Sequence, residues 1–307
     1  MGLSEPDVLV LAGGTGGAKL ARGMLDVVSA ERLTVLVNSG DDIDIYGAHV
    51  SPDPDLVSFW LADTIDDRGW GLRDDTFAVM DALRALGVEV WFNLGDRDLA
   101  IALERTRLLT EGMRLTEAHR LIAGRLGVRS AVLPMSDTPV RTRVMAHGRW
   151  WPFQEFMISA NGEGPVQDLD YRGASAARPT PEVLAAVSDA RALIIGPSNP
   201  VISIGPIVAL PGMRAALSAS AAAVVAVSPL VEGRVVKGPT EPFIRWADQP
   251  LSSTGIASLY DRVIDGLVAD ESTELVPVLR TDVLMDTPEA RSRVAEETLN
   301  FALGLAR

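Results

Sequence analysis

The sequence predicts an α/β protein: a mostly parallel sheet with helices on both faces and a smaller antiparallel insertion. Three observations carry that expectation. An apolar run, Val8 to Ala12, feeds a turn with four glycines in five positions, then a helical pattern and a second apolar run, Leu33 to Val37, the order of a βαβ unit with parallel strands. The alternation returns after residue 178, where the helical pattern Pro181 to Ala190 precedes the apolar runs Ala192 to Ile195 and Ala222 to Val227. Between these two regions the pattern changes to short strand-like segments around His147-Gly148, with four aromatics between Trp150 and Phe156.

The expected elements follow in order. Val8 to Ala12 reads as a buried strand, Gly16 to Val28 as a helix and Leu33 to Val37 as a second strand. The polar stretch Asn38 to Asp55 leads to helical patterns at Asp55 to Thr64 and Asp75 to Leu86, then a short third strand at Val88 to Phe92. Asp96 to Leu109 and Thr116 to Leu126 read as helices, the second capped by Thr116. Ala131 to Met135, Val140 to Ala146 and Trp150 to Ile158 read as strands of the antiparallel part, with His147-Gly148 as a hairpin turn. The C-terminal third adds a helix at Ser253 to Leu267, a strand near Leu275 to Leu279 and a helix from Pro288 to Leu305; Pro277 confines that strand to a sheet edge. The expected organisation is a Rossmann-like nucleotide-binding core of residues 1–130 and 179–307, with 131–178 as an inserted antiparallel subdomain.

Composition narrows the chemistry. The 307 residues suffice for a full core. Forty-one acidic against 28 basic side chains give a net charge of −13, which argues against a broad nucleic-acid-binding surface but leaves room for one nucleotide held by backbone amides and a metal. With no cysteine, thiolate catalysis, disulfides and cysteine-ligated metals are excluded. The three histidines are scattered, and no serine-histidine motif suggests a hydrolase triad. Glu5 and Asp7 stand where a secretory signal is basic, and no apolar run approaches the ~20 residues of a membrane span. A cytoplasmic protein without membrane contact is the expectation.

Four loops carry the candidate chemistry. Gly13, Gly14, Thr15, Gly16 and Gly17 lie between a strand and a helix N-terminus, where free N–H groups attract phosphate. Neither familiar phosphate motif fits well: Lys19 occupies the sixth position of the dinucleotide fingerprint, and Ala18 and Leu20 flank it where the Walker loop needs glycine and a hydroxyl. Asn38 to Asp55 packs five carboxylates after the second strand, as a divalent cation bridging phosphate oxygens would require; a solvated acidic loop, and Asp55 as a helix cap, are the plain alternatives. Asp96 and Arg97 follow the expected third strand, Arg97 suited to grip an anion or to pair within its loop. Ser198, Asn199 and Pro200 form the fourth loop. If all four follow parallel strands, they share one sheet edge, where open α/β sheets bind ligands.

GGTGGAKL, NSGDDIDIYGAHVSPDPD, RGWGLRDDTF, LGDRDLA, LPMSDTPVRTRV, FQEF, GPSNPVISIGPI and VAVSPLVEGRVVKGP together resemble the 2-phospho-L-lactate transferase family of coenzyme F-420 biosynthesis, in order and over nearly the whole chain. The resemblance implies attack by the deazaflavin Fo on a guanosine diphosphate-linked phospholactyl or phosphoenolpyruvyl donor, release of GMP, a requirement for Mg2+, and a homodimer. It implies that Asp42 and Asp55 are the acidic positions tied to magnesium and the Fo side, with Asp55 nearest the attacking hydroxyl. Asn93 falls at an Fo contact where some members carry lysine, and Phe59 where some carry tyrosine. Gly13 to Gly17 and Ser198 to Pro200 would cradle the guanosine diphosphate. Two other readings of the loops stand beside it: a nicotinamide-dependent oxidoreductase, disfavoured by Asn38-Ser39 where an acidic ribose ligand belongs, and a non-catalytic nucleotide sensor.

Overall fold

The computed structural model describes residues 7–236 and 238–305; Glu5 and Lys237, both within motifs noted above, lie outside the described residues. Strand β1 (Val8–Ala12) leads to helix α1 (Gly14–Met24) and β2 (Leu33–Val37). The acidic stretch then forms a small hairpin, β3 (Ile43–Ile45) and β4 (Ala48–Val50), which enters α2 (Pro52–Leu61). Helices α3 (Ala78–Ala85), α4 (Asp96–Thr110) and α5 (Leu115–Arg125) follow, then β5 (Ala131–Pro134). The middle of the chain is β6 (Arg141–Ala146), β7 (Arg149–Pro152), α6 (Phe153–Ser159) and β8 (Asp168–Arg172). The chain returns to the core with α7 (Pro181–Asp189), β9 (Ala192–Ile195), α8 (Gly205–Val208), α9 (Met213–Ala219) and β10 (Val224–Val227). A two-residue ladder, β11 (Leu230–Val231) and β12 (Arg234–Val235), precedes α10 (Thr240–Trp246), α11 (Ser253–Leu259), β13 (Gly266–Ala269), β14 (Val278–Arg280) and α12 (Pro288–Gly304).

The seven long-range strands form one parallel sheet in the order β14-β13-β10-β9-β1-β2-β5. Because strand side chains alternate, each strand feeds two cores. Val8, Val10 and Ala12 of β1 pack with α1, α2 and α12, whereas Leu9 and Leu11 pack with α7, α9 and α11. The fold is therefore Rossmann-like, helices on both faces of a parallel sheet. A three-stranded antiparallel sheet, β7-β6-β8, sits outside it over a small core of Val144, Phe153, Phe156 and Phe243. Among the described residues no helix is long and apolar enough to cross a membrane.

Several expectations are corrected. Val88 to Phe92 is not a strand: the sheet edge beside β2 is taken by β5, and Phe92 instead stacks on Trp91 with ring centroids 5.6 Å apart and donates its N–H to Tyr46 Oη at 3.2 Å. Ala131–Pro134, expected to open the antiparallel insertion, pairs in parallel with β2, so the antiparallel strands begin at Arg141. Trp150 to Ile158 is strand only to Pro152; Phe153 and Phe156, one helical turn apart, dock edge-on against Phe243 at 6.4 and 6.2 Å. Helix α11 stops at Leu259, and a left-handed Arg262 (φ 59°) turns the chain into the buried strand β13. Thr116 does not cap α5; it lies inside the first turn, and its N–H and hydroxyl both reach Asp137 Oδ1, at 2.8 and 2.7 Å. Pro277 stands just before β14, the edge strand, as expected.

Buried between α2, α4 and α5 lies His119, whose ring shares a hydrogen bond with Ser58 Oγ at 3.1 Å. Burial, with the nearby Arg105 charge, pushes its pKa down to about 3. Between pH 6.5 and 3 the unfolded chain binds a proton that the native state refuses, so this residue lowers stability as pH falls, by up to about 1.4 kcal/mol per pH unit. Urea unfolding at pH 7.5 and 4.5 should show a shallower acid loss in His119→Asn than in the parent. A second change tests the sheet centre: a Cβ on Gly16 would meet Pro197 O at 2.1 Å, so Gly16→Ala should cost about 1–3 kcal/mol in the same unfolding measurement.

Candidate functional site

Strands β1 and β9 lie side by side, and the chain leaves them in opposite directions, β1 toward β2 and β5, β9 toward β10 and β13. At such a reversal the connecting loops diverge and leave a crevice above the strand ends. The two loops meet at its floor, where Gly13 N donates to Ser198 Oγ at 3.1 Å. A Cβ on Gly17 would lie 2.6 Å from Ser198 Oγ; only glycine permits this approach. Gly14 adopts φ +66° as the turn enters α1.

The loop after β2 closes the third side. Helix α2 begins at Pro52 rather than Asp55, so Asp53 and Asp55 both fall in its first turn, where the helix dipole favours carboxylates. Asp53 accepts from Gly14 N at 2.8 Å and from Asn38 Nδ2 at 3.0 Å, while Asn38 Oδ1 takes Gly40 N at 2.7 Å. The acidic loop is thus sewn to the glycine turn. A cavity of about 690 Å³ opens over this junction, and Gly13, Gly14, Thr15, Gly16, Asp41, Asp53, Ser198 and Asn199 form its polar wall. Trp70, Phe153, Met157, Ile158 and Val236 form an apolar wall.

Three of the four expected loops therefore converge, and the fourth does not. Asp96 caps α3, accepting from Ala78 N and Val79 N at 3.1 and 3.0 Å. Arg97 donates to Arg73 O at 2.9 Å, and Asn93 accepts from Arg84 at 2.7 Å. None of the three lines the cavity, because their loop follows no sheet strand. Pro200 is buried and also lies off the wall.

The carboxylates divide in two. Asp42 and Asp55 are buried but do not line the cavity. Asp42 accepts from Ser51 Oγ at 2.8 Å and meets the His49 ring at 3.2 Å; Asp55 pairs with the fully buried Arg105. Burial opposes protonation of His49, yet its bonds to Asp42 and Asp44 hold its pKa above the usual value. Asp41 and Asp53, by contrast, face the cavity. Burial raises both pKa values, Asp41 further because the Asp53 charge lies beside it. Asp98, the last of this chain of carboxyls, is pushed up to about 7 by burial and by Asp55 and Asp75.

Asp41 Oδ1 is buried with no hydrogen-bond partner, and so is Asn199 Nδ2. A buried carboxylate oxygen without a donor is costly, and a cation would satisfy it. Among the described residues no three acidic or histidine side chains gather around one point; Mg2+ takes one or two carboxylates and fills its shell with waters and phosphate oxygens. Asp41 and Asp53 line the cavity, whereas the expected Asp42 and Asp55 stand behind it. In the sequence Asp41 and Asp53 are two of five like carboxylates, and the one local signal that sets Asp53 apart is the helix start at the Pro52 and Pro54 pair, which turns it toward the glycine loop.

Comparison with known proteins agrees with this architecture. Residues 8–294 match the family model described as 2-phospho-L-lactate transferase CofD. A 2-phospho-L-lactate transferase of Methanosarcina acetivorans is 37% identical over 308 residues, covering 97% of this chain and 98% of that one. A phosphoenolpyruvate transferase of Thermobifida fusca is 35% identical over 318 residues, covering 97% and 98%. A crystal structure from Bacillus halodurans, a member of the upf0052 family, shares the fold with a TM-score of 0.64 at 16% identity, covering 97% of this chain and all of that one. With both the family model and full-length relatives matching, the chain belongs to the CofD family of 2-phospho-L-lactate transferases, enzymes of coenzyme F-420 biosynthesis.

Proposed function

We propose that this enzyme transfers a phospholactyl or phosphoenolpyruvyl group from a guanosine diphosphate-linked donor to the deazaflavin Fo. The observation that carries the reading is the single cavity in which the glycine turn and two carboxylates face an apolar wall. The hydroxyl oxygen of Fo forms a bond to the phosphorus bearing the acid, the bond from that phosphorus to the GMP oxygen breaks with its electron pair leaving on GMP, and the hydroxyl proton is released. Backbone N–H groups at the start of α1 and the donors of Ser198 and Asn199 would hold the diphosphate in line for attack. Asp41 and Asp53 would hold Mg2+, which when bound neutralises charge on the transferred phosphoryl group. The apolar wall, with the half-exposed Trp70 braced by Arg68 at 4.2 Å from its ring, suits a flat tricyclic ring. A chain of this family acts on small molecules; the homodimer and the cytoplasmic location remain part of the proposal.

The deciding experiment is mass spectrometry of products after mixing the protein with Fo, Mg2+ and each guanylylated donor. An Fo adduct carrying phospholactate or phosphoenolpyruvate is expected; no adduct from any donor would overturn the reading. Two substitutions probe the assignment of the walls. Asp41→Asn should lower kcat by about 10²-fold or more, the scale of losing one electrostatic contact to a transition state, whereas Asp44→Asn, outside the cavity, should not. Trp70→Ala should raise KM for Fo roughly tenfold, a loss of stacking and burial near 1.4 kcal/mol, with KM for the donor unchanged in steady-state assays.

A further inference from the structure

Among the described residues, Arg105 is the largest side chain with no solvent exposure. An arginine in such a place is expensive unless its charge is matched, and its partners are placed with a pattern. One guanidinium nitrogen pairs with Asp55 in the first turn of α2, and the other donates to His49 O in the middle of β4, at 3.1 Å. The contacts fall at residues 49 and 55, and between them lies Asp53, whose two oxygens meet the glycine turn and Asn38. Arg105 thus grips both ends of the short segment that presents Asp53 to the cavity. The same segment carries Ser51, which donates to Asp42 at 2.8 Å next to Asp41 in the chain.

Other groups around the guanidinium support this reading. Asp98 lies two helical turns earlier on α4 and feels its charge, the buried His119 is neutral at working pH, and of the nearby histidines only His49 shares the field at Asp55, without a hydrogen bond to it. Nε has no partner, so both side-chain hydrogen bonds are spent on residues 49 and 55. A lysine keeps the charge but has no planar fork with which to span two acceptors.

We propose that Arg105 is a positioning residue that acts through the 49–55 segment, fixing Asp53 against the glycine turn so that Asp41 and Asp53 together can hold the cation. The inference rests on the proposed role of those two carboxylates, and on nothing Arg105 itself does to a substrate.

The test uses the full chain, with isothermal titration of GDP in the presence and absence of Mg2+. In Arg105→Lys the gain in GDP affinity that Mg2+ confers should fall tenfold or more, while metal-free GDP affinity stays within about twofold. Ser58→Ala, which loosens the same helix pair by removing the bond to His119, should lower the melting temperature and leave the Mg2+ gain intact. An Arg105→Lys protein that melts lower but keeps the full Mg2+ gain would show a merely structural arginine and overturn the proposal. Should Arg105→Lys fold poorly, the titration is run in an osmolyte that restores the native ellipticity, and the same two outcomes decide. Because this readout involves no transfer, a protein that makes no Fo adduct can still show the Mg2+ effect, so failure of the proposed reaction and failure of the brace are separable.

Discussion

The close contact between the loops that leave β1 and β9 is the constraint on which the rest of the site depends. Gly16 and Gly17 lie so near Pro197 and Ser198 that no side chain could stand between them, and the Gly13 to Ser198 hydrogen bond closes the floor. Their closeness follows from the parallel pairing of β1 with β9, in register from Val8 with Ala192, at the place where the chain changes direction across the sheet. Two stretches of backbone 185 residues apart are thereby held at hydrogen-bond distance. The glycine turn and the Ser198–Asn199 loop that wall the cavity are both built on that floor.

Above it, the problem is charge. The loop after β2 buries four carboxylates, Asp41, Asp42, Asp53 and Asp55, in a small volume, and like charges in a low dielectric repel strongly. The fold offsets this in two ways. Donors neutralise the outer pair, with Ser51 and His49 on Asp42 and Arg105 on Asp55. Backbone and amide donors hold Asp53, while Asp41 keeps an oxygen without a partner. The two carboxyl groups with no cationic partner are therefore those that face the cavity, beside the N-terminus of α1. A bound cation would favour the ionised form of both groups, which is the physical reason the proposed Mg2+ belongs at this point.

Much of the fold was legible because its signals were local. The strands Val8–Ala12, Leu33–Val37 and Ala192–Ile195 are unbroken apolar runs, and burial on both faces of a parallel strand leaves no other pattern available. The hairpin at His147-Gly148 announced itself through residues that tolerate positive φ. The errors have the opposite character. Val88 to Phe92 has strand-like composition, but strand formation needs a free sheet edge, and β5 had taken it. The segment after Trp151 carries aromatics suited to a strand, yet their contact with Phe243, about ninety residues on, selects a helix.

The same division holds for the site. By itself the sequence determined the chemical inventory, a glycine turn, a cluster of carboxylates and a polar loop, and through ordered motifs it determined the family, because residue type and order do not depend on folding. Which carboxylates face the cavity was decided only by tertiary structure. Asp53 and Asp55 differ by two positions, and the first turn of α2 sends one to the glycine loop and the other to a buried arginine fifty residues away. No property of the segment alone distinguishes them; the distinction comes from what packs on each side of the helix.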